Sequence, residues 1–381
     1  MSGVKVDVRP SHERRATGTL LLHVFPSFAV GGAQVRFAAI ANHFGPAYRH
    51  VVVALDGDTS CGRRLNPALD LTYPEVAAPK GATLGNVWRF RRLLHAWRPD
   101  VLVTYNWGAI EWAMANVPPV ARHIHIEDGF GPEERAGQLR RRVLTRRLVL
   151  TRSIVVLPSR SLMRIATGIW RLDPRRIHYV PNGIDLSRFV AREDRRIRPD
   201  EWPVIGTVAA LRGEKNIARL LRAFRLVLDV TPAHLVIVGD GPQRTMLERH
   251  AQEIGLGERV RFVGHVEESA PLYAEFDVFA LSSDTEQMPL TVIEAMAAGL
   301  PIAATNVGDI SAMVAAENQI HITSLDDASL AEAMTALLRN AALRKRLGVA
   351  NRVKAAAEFD QAAMFRAYGA LFDGIAWPAA A

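Results

Sequence analysis

Two carboxylates carry the chemistry that this chain could do: Glu286 and Glu294, with seven residues between them in the stretch SSDTEQMPLTVIEAMAAGLPIAAT, residues 282–305. Pro289 stands where a helix would begin, because its fixed φ and missing N–H suit the first helical position. From Leu290 the text is apolar and rich in alanine up to Gly299-Leu300-Pro301, a helix stop followed by a new strand. Glu294 therefore falls inside an apolar helix beside Ile293, Met296 and Ala297, and Glu286 falls in the loop ahead of it. A lone carboxylate buried there costs several kcal/mol unless something hydrogen-bonds to it. A helix start is also an anion site, with free N–H groups and a positive dipole end. Together these predict a phosphate at the helix start near Met288, Pro289 and Leu290, with Gln287 also against the donor, a diol on Glu294, and a second hydroxylated group on Glu286. Phosphate flanked by a ribose and a sugar is a nucleotide-sugar. The same spacing suits a surface helix whose Glu294 faces water, and the spacing alone does not choose.

Other residues have types that fit an anionic ligand. Gly31-Gly32 lies between the first strand and the first helix, where bare backbone N–H groups can approach an anion. Lys215, in ALRGEKN, precedes a helix start and puts a point charge on a flexible stem, as a diphosphate requires. Arg212 is its nearest basic neighbour. Gly239-Asp240-Gly241-Pro242 follows the strand HLVIVG but is not GxGxxG, which disfavours a dinucleotide dehydrogenase. No grouping of carboxylates and histidines has metal-ligand spacing.

The pair Glu286 and Glu294 with the EAMAAGLPIAAT that follows resembles the signature of retaining glycosyltransferases of family 4, group 1, and the resemblance extends with gaps over nearly the whole chain. It implies the GT-B fold: α/β, two Rossmann-like doubly wound parallel-sheet domains facing a central cleft. Gly31-Gly32 is then the loop that touches donor phosphate and sugar. Gly239 and Gly241 belong to a GDGP turn lining the nucleotide site, and His265 and Val266, after RFVG, meet the base through their backbone. The family carries an arginine five residues before the lysine; here Ala210 occupies that place, and Arg212 is the candidate substitute. The family also carries a histidine that contacts the donor sugar, where this chain has Asp128 in IEDGFGPEE. A neutral imidazole donates a hydrogen bond; an ionised carboxylate only accepts. Close to a diphosphate it is also repelled, by roughly a few kcal/mol. Asp128 is thus expected to accept from a hydroxyl of the sugar or of the acceptor, as base or orienter. His123 and His125 are candidates for the missing role, although the alternation in RHIHIED makes them strand residues. Tyr105 and Trp107 are expected to flank an acceptor.

These side chains need a frame. From Thr19 strands and helices alternate, which predicts a parallel sheet with helices on both faces. The pattern breaks after Pro181-Asn182-Gly183 and restarts at PVIGTVAAL. The expected division is a disordered lead over 1–17, an acceptor domain over 18–184, a charged linker over 185–202, a donor domain over 203–358, and a C-terminal helix over 359–381 that crosses back to the first domain. A ligand would lie at the C-terminal ends of the strands.

At 381 residues, with nearly half of them hydrophobic, the chain is long enough for two cores. No apolar run reaches membrane-spanning length. The single cysteine, Cys61, excludes an internal disulfide and suits a reducing cytoplasm. The net charge of +8 attracts any polyanion. Part of it is concentrated in Arg135–Arg152, where arginines interleave with Leu139, Val143, Leu144, Leu148, Val149 and Leu150. Such a basic amphipathic helix suits an anionic membrane at the inner face of the cell, or a domain helix with a solvated basic side. Nucleic acid is disfavoured, since no aromatic stacking surface accompanies the arginines.

The expected activity is transfer of a hexose-type sugar from a UDP- or GDP-linked donor to a hydroxyl of a lipid-linked or polysaccharide acceptor in bacterial envelope or exopolysaccharide synthesis. Glu286, Asp128 and Lys215 would carry the chemistry, with the nucleotide-sugar as co-substrate and no metal or other cofactor. Ala210 and Asp128 also leave room for a non-catalytic nucleotide-sugar-binding scaffold of the same fold.

Overall fold

The computed structural model describes residues 18–134, 137–189 and 202–377. The expected lead, most of the expected linker and Arg135 lie outside the described residues. The described residues divide into two compact units, one of those within 18–157, 162–180 and 365–377, the other of those within 158–161 and 181–364.

In the first unit the strands are β1 (Thr19–Phe25), β2 (Tyr48–Ala54), β3 (Leu71–Thr72), β4 (Val101–Tyr105), β5 (Arg122–Ile126), β6 (Ile154–Leu157) and β7 (Ile177–Tyr179). Helices α1 (Gly32–Phe44), α2 (Thr83–Trp97), α3 (Ile110–Ala115), α4 (Arg140–Val149) and α5 (Arg160–Gly168) connect them. The sheet is parallel throughout, in the order β3-β2-β1-β4-β5-β6-β7. Leu21 to Phe25 are all buried, as a strand covered on both faces must be. The order reverses between β1 and β4, and in such sheets the ligand site lies beyond the strand ends at that reversal.

The second unit repeats the plan. Its strands are β8 (Val204–Val208), β9 (His234–Val238), β10 (Val260–Gly264), β11 (Val278–Leu281), β12 (Ile302–Thr305) and β13 (Ile322–Thr323), in the parallel order β10-β9-β8-β11-β12-β13. Its helices are α6 (Ile217–Leu228), α7 (Arg244–Glu253), α8 (Ala270–Tyr273), α9 (Leu290–Ala297), α10 (Ile310–Met313), α11 (Asp327–Leu338) and α12 (Ala341–Glu358). Alternate residues of one strand feed two cores: Leu235 and Ile237 pack with α6 and α11, Val236 and Val238 with α8 and α9. The reversal here lies between β8 and β11. QIHIT, expected as a strand, pairs only at Ile322–Thr323, because Ala316–His321 forms a 3₁₀ turn.

Of the expected linker, Leu186–Arg188 forms a 3₁₀ turn, and Leu186 and Phe189 pack into the second unit's core. The last helix, α13 (Gln361–Asp373), groups with the first unit from Phe365 onward. There Phe365 stacks on His43 of α1, and Tyr48 donates a 2.9 Å hydrogen bond to Asp373.

Candidate functional site

The loops after β8 and β11 leave the second sheet at its reversal, and they bring two expected residues into contact. Lys215 Nζ donates to Glu286 Oε1 at 2.5 Å, and Ser283 Oγ donates to the same oxygen at 2.7 Å. Neither side chain is sealed: Lys215 keeps 25% of its side-chain surface and Glu286 keeps 10%. The β8 loop is shaped by Asn216, a left-handed residue (φ 43°) that also caps α6 by accepting from Arg219 N at 3.1 Å. Asp284 ties the two loops together, accepting from Asn216 Nδ2 at 3.0 Å and from Arg219 at 2.6 Å. Ser282 Oγ donates to the Lys215 carbonyl at 3.0 Å.

The segment from Glu286 to α9 is held by its carbonyls. Asp309 N donates to the Gln287 carbonyl at 3.0 Å, and Asn182 Nδ2 donates to that of Met288 at 2.9 Å. Met288 is buried, and Pro289 immediately precedes α9. At the start of α9, Val292 N donates to the Pro289 carbonyl at 3.2 Å, and the N–H groups ahead of it have no acceptor within the helix, as the expected anion site requires. Gly308, which the sequence reading missed, makes this fit possible. Its φ is +59°, and a Cβ there would lie 2.3 Å from the Glu286 carbonyl oxygen and 2.8 Å from that of Gln287.

Glu294 lies between the core residues Ile293 and Ala295 and is only partly buried itself. Its compensating partner is Tyr273, fully buried, whose hydroxyl donates to Oε2 at 2.5 Å. Burial raises the Glu294 carboxyl above the usual range; Tyr273 and the guanidinium of Arg188 oppose the rise, and Glu268 adds to it. Tyr273 was missed because nothing in APLYAEFD distinguishes it from a core tyrosine. Its tie is made only when α8 packs on α9.

Gly239 and Gly241 are required by close backbone approach. At Gly239 (φ +130°) a Cβ would come within 2.0 Å of the Ala209 carbonyl, and at Gly241 within 2.6 Å of that of Leu211. The GDGP turn thus packs on the loop that carries Arg212 and Lys215, with Leu211 N bonded to the Asp240 carbonyl at 2.9 Å. Arg212 is exposed, as is the His265 side chain; Val266 is half-buried against the core.

In the first unit, Gly31 precedes α1 in an extended conformation (φ −163°) and offers no side-chain cap. A Cβ on it would meet the Gln34 carboxamide at 2.8 Å. Gly32 opens the helix and is exposed. One turn on, Arg36 reaches Asp128 after β5 in a bidentate pair, Nη1 to Oδ1 at 2.6 Å and Nη2 to Oδ2 at 2.8 Å. Asn106 Oδ1 accepts from Asp128 N at 2.7 Å. The loop acid of the sequence reading is therefore a tethered one. Arg36 reads as an ordinary helix arginine, and only the fold turns it inward.

Three expectations for the first unit need correction. Tyr105 is a core residue, stacked on Phe25 at 3.8 Å between ring centroids with its hydroxyl 3.2 Å from His23, and does not present itself to an acceptor. Trp107 is half-buried beneath the guanidiniums of Arg142 and Arg146, at 4.9 and 5.0 Å. The basic helix, α4, turns both kinds of residue inward: Val143 and Val149 pack against the core that holds Leu150, and two of its arginines are buried with them. Arg142 and Arg146 are buried, paired with Glu134 and, for Arg146, with Glu127, while Leu144 and Leu148 are 57% and 66% exposed beside Arg140, Arg141 and Arg147. Arginines one turn apart find two buried carboxylates, and the pairing overrides the hydrophobic pattern. His123 and His125 are buried strand residues that share Thr104 Oγ1, each at 2.8 Å.

Among the described residues no helix is long and apolar enough to cross a membrane. Residues 30–188 match the model of the family described as Glycosyltransferase Family 4, and residues 191–354 that of Glycosyl transferases group 1. The chain is 28% identical to the lipopolysaccharide core biosynthesis glycosyltransferase LpsD of Rhizobium meliloti over 75% of its own length and 78% of that protein's. It is 30% identical to a glycogen synthase of Mycobacterium tuberculosis over 70% of its length, the match spanning 66% of that enzyme. The fold superposes on Anabaena Alr3699/HepE, solved with UDP and glucose, with a TM-score of 0.76 at 17% identity, covering 93% of this chain and 99% of that one. At that identity the likeness speaks for the GT-B fold alone.

Proposed function

We propose a donor, a chemistry and an acceptor class for this chain, which belongs to the group 1 glycosyltransferases. It moves a hexose-type sugar, with retention of configuration, from a UDP- or GDP-linked donor to a hydroxyl of a lipid-linked or polysaccharide acceptor. The observation that carries the reading is the Lys215–Glu286 pair at the start of α9. A cation and a carboxylate, both reachable from solvent, meet at the reversal of a doubly wound sheet, in the loop that leads into α9.

Lys215 has two N–H groups left to meet the diphosphate, with exposed Arg212 and the α9 N-terminus beside it. These stabilise the negative charge that builds on the leaving nucleotide, a preorganised arrangement that needs no divalent ion. Gln287, Met288, Pro289 and Leu290 present the backbone to the donor. Glu286 accepts from sugar hydroxyls. Glu294, with Oε2 occupied by Tyr273, uses Oε1 for the ribose diol. Gly239 and Gly241 shape the nucleotide side, and His265 and Val266 meet the base. In the first unit Gly31 and Gly32 free the α1 N–H groups for an anion, and Asp128 orients a substrate hydroxyl. The donor phosphate itself takes the acceptor's proton. The relatives bracket the acceptor class: LpsD is named for lipopolysaccharide core biosynthesis, another for glycogen synthesis, and a third is a GDP-mannose-dependent alpha-mannosyltransferase. Leu144 and Leu148, exposed among arginines, suit attachment of α4 to an anionic lipid surface at the cytoplasmic side of a membrane, where lipid-linked acceptors reside.

The test uses UDP-glucose and GDP-mannose. One of them should raise the Tm of the protein, since a ligand bound only to the native state stabilises it. That donor should release its nucleoside diphosphate at a rate that Glu286→Ala lowers about a hundredfold or more with its thermal shift retained, whereas Lys215→Met weakens both. Release indifferent to Glu286→Ala, or no response to either donor, overturns the proposal.

A further inference from the structure

The geometry points to Tyr273 as a positioning residue that keeps Glu294 a pure hydrogen-bond acceptor for the ribose of the nucleotide. It rests on the reading of Glu294 as the group that meets the ribose diol, and every residue involved belongs to the second unit. The Tyr273 ring is fully buried and held among Phe189, Phe276 and Phe279, with ring centroids 5.6, 5.7 and 5.9 Å away. Its hydroxyl is thereby fixed 2.5 Å from Glu294 Oε2. A phenol has one proton to give, and the other acceptor beside it, the Thr291 carbonyl, stands at 3.5 Å.

That asymmetry selects the charged carboxylate. If Glu294 carried a proton on Oε2, the phenol proton would have to turn to Thr291, at the outer limit of a hydrogen bond. With Oε2 accepting from Tyr273, an ionised Glu294 keeps about three lone-pair sites, two of them on Oε1. Vicinal ribose hydroxyls bring two donors, and a protonated carboxyl would set a third donor against them. The surroundings otherwise favour the neutral form. Ile293, Ala295 and Met296 are buried apolar neighbours, and burial raises the Glu294 carboxyl above its usual range. Arg188 lowers it and Glu268 raises it, but these two are ion-paired with each other and largely cancel. Helix α12 meets the C-terminal end of α9 through Gly348 and Asn351, neither titratable, and β11 and β12, which pack on α9, carry no charged residue. Tyr273 is the donor that opposes burial.

The experiment compares UDP with 2′-deoxy-UDP, and GDP with 2′-deoxy-GDP, by calorimetry on the full chain between pH 6 and 8.5. These probes carry no sugar beyond the ribose, and the ratio of the two Kd values cancels the titration of their phosphates. For whichever base binds, wild type should prefer the ribonucleotide about tenfold or more, the cost of losing a hydrogen bond to a charged acceptor, and hold that ratio down to pH 6. Glu294→Gln should bring the ratio to within about threefold of one at every pH, since a neutral amide replaces the charged acceptor. Tyr273→Phe removes only the hydroxyl. Without that donor the carboxyl binds its proton more tightly, so the ionised form, and the preference with it, survives only at higher pH. The Tyr273→Phe ratio should therefore stand near wild type at pH 8.5 and fall to within about threefold of one at pH 6. A ratio that follows the same pH course in Tyr273→Phe as in wild type overturns the role of Tyr273, even if every Kd rises. Wild type without a ribose preference, or without affinity for either diphosphate, overturns instead the reading of Glu294 on which it rests.

Discussion

Gly308→Ala is the substitution whose effect can be worked most fully from the structure. Gly308 has φ +59°, where a Cβ costs about 1–2 kcal/mol by its own clash with the backbone. That Cβ would also sit 2.3 Å from the Glu286 carbonyl oxygen, so the loop must retreat by about 1 Å to restore ordinary contact. Forcing such a shift adds about 1–3 kcal/mol. The displaced loop carries Glu286, and it leads directly into α9. A misplacement of about 1 Å at a reacting group costs about 10²-fold in rate. The expected outcome is a Tm lower by several degrees and a kcat/KM lower by about two orders of magnitude, with circular dichroism unchanged at low temperature. Gly255→Ala is the control: its φ is +74°, but a Cβ there meets nothing within 4 Å, so it carries the backbone strain without the clash. It should lose about 1 kcal/mol and no activity. Equal kinetics in the two variants would refute the claim that Gly308 sets the position of Glu286.

Other outcomes follow from buried charge and exposed surface. Burial holds His50 down to about 4 and His123 to about 3, and burial with the nearby His50 places His23 well below its ordinary value. The unfolded chain binds these protons near pH 6.5 and the folded chain does not, so stability is complete above that pH. It falls as pH drops toward 4 by up to about 1.4 kcal/mol per pH unit for each histidine. Urea midpoints between pH 7.5 and 4.5 should show the fall, and His123→Gln should lessen it by one histidine's share; constant midpoints would contradict neutral burial. Replacing Leu144 and Leu148 together by serine should weaken binding to vesicles of phosphatidylglycerol and phosphatidylcholine roughly tenfold or more, given about 1.5–3 kcal/mol per fully buried leucine. Unchanged binding would remove α4 from any membrane contact.

Much of the fold is legible in the text because parallel strands and their helices are written locally. TLLLHVF and HLVIV are buried runs, and α6 places Ile217, Leu220, Leu221 and Phe224 on one buried side behind the cap Asn216. Part of the site is legible for the same reason. The start of α9 is announced by Pro289, and a carboxylate inside an apolar helix announces a partner. The identity of that partner is not written anywhere near it, since Tyr273 lies 21 residues away. Helix α4 shows the limit of pattern reading: its text reads as a helix that buries leucines, yet buried Glu127 and Glu134 draw Arg142 and Arg146 inward and leave two leucines outside.

The sequence by itself determined the two doubly wound sheets, the helix of Glu294 and the types of residue available for an anionic sugar donor, because each depends on neighbours within a turn or a strand. Tertiary structure alone decided which of them meet. Lys215 reaches Glu286 across 71 residues, Arg36 reaches Asp128 across 92, and Gly308 admits the Glu286 loop only at full packing. A charge or a missing Cβ acquires its meaning from what stands within a few ångströms of it, and for these residues that neighbour comes from another strand of the sheet.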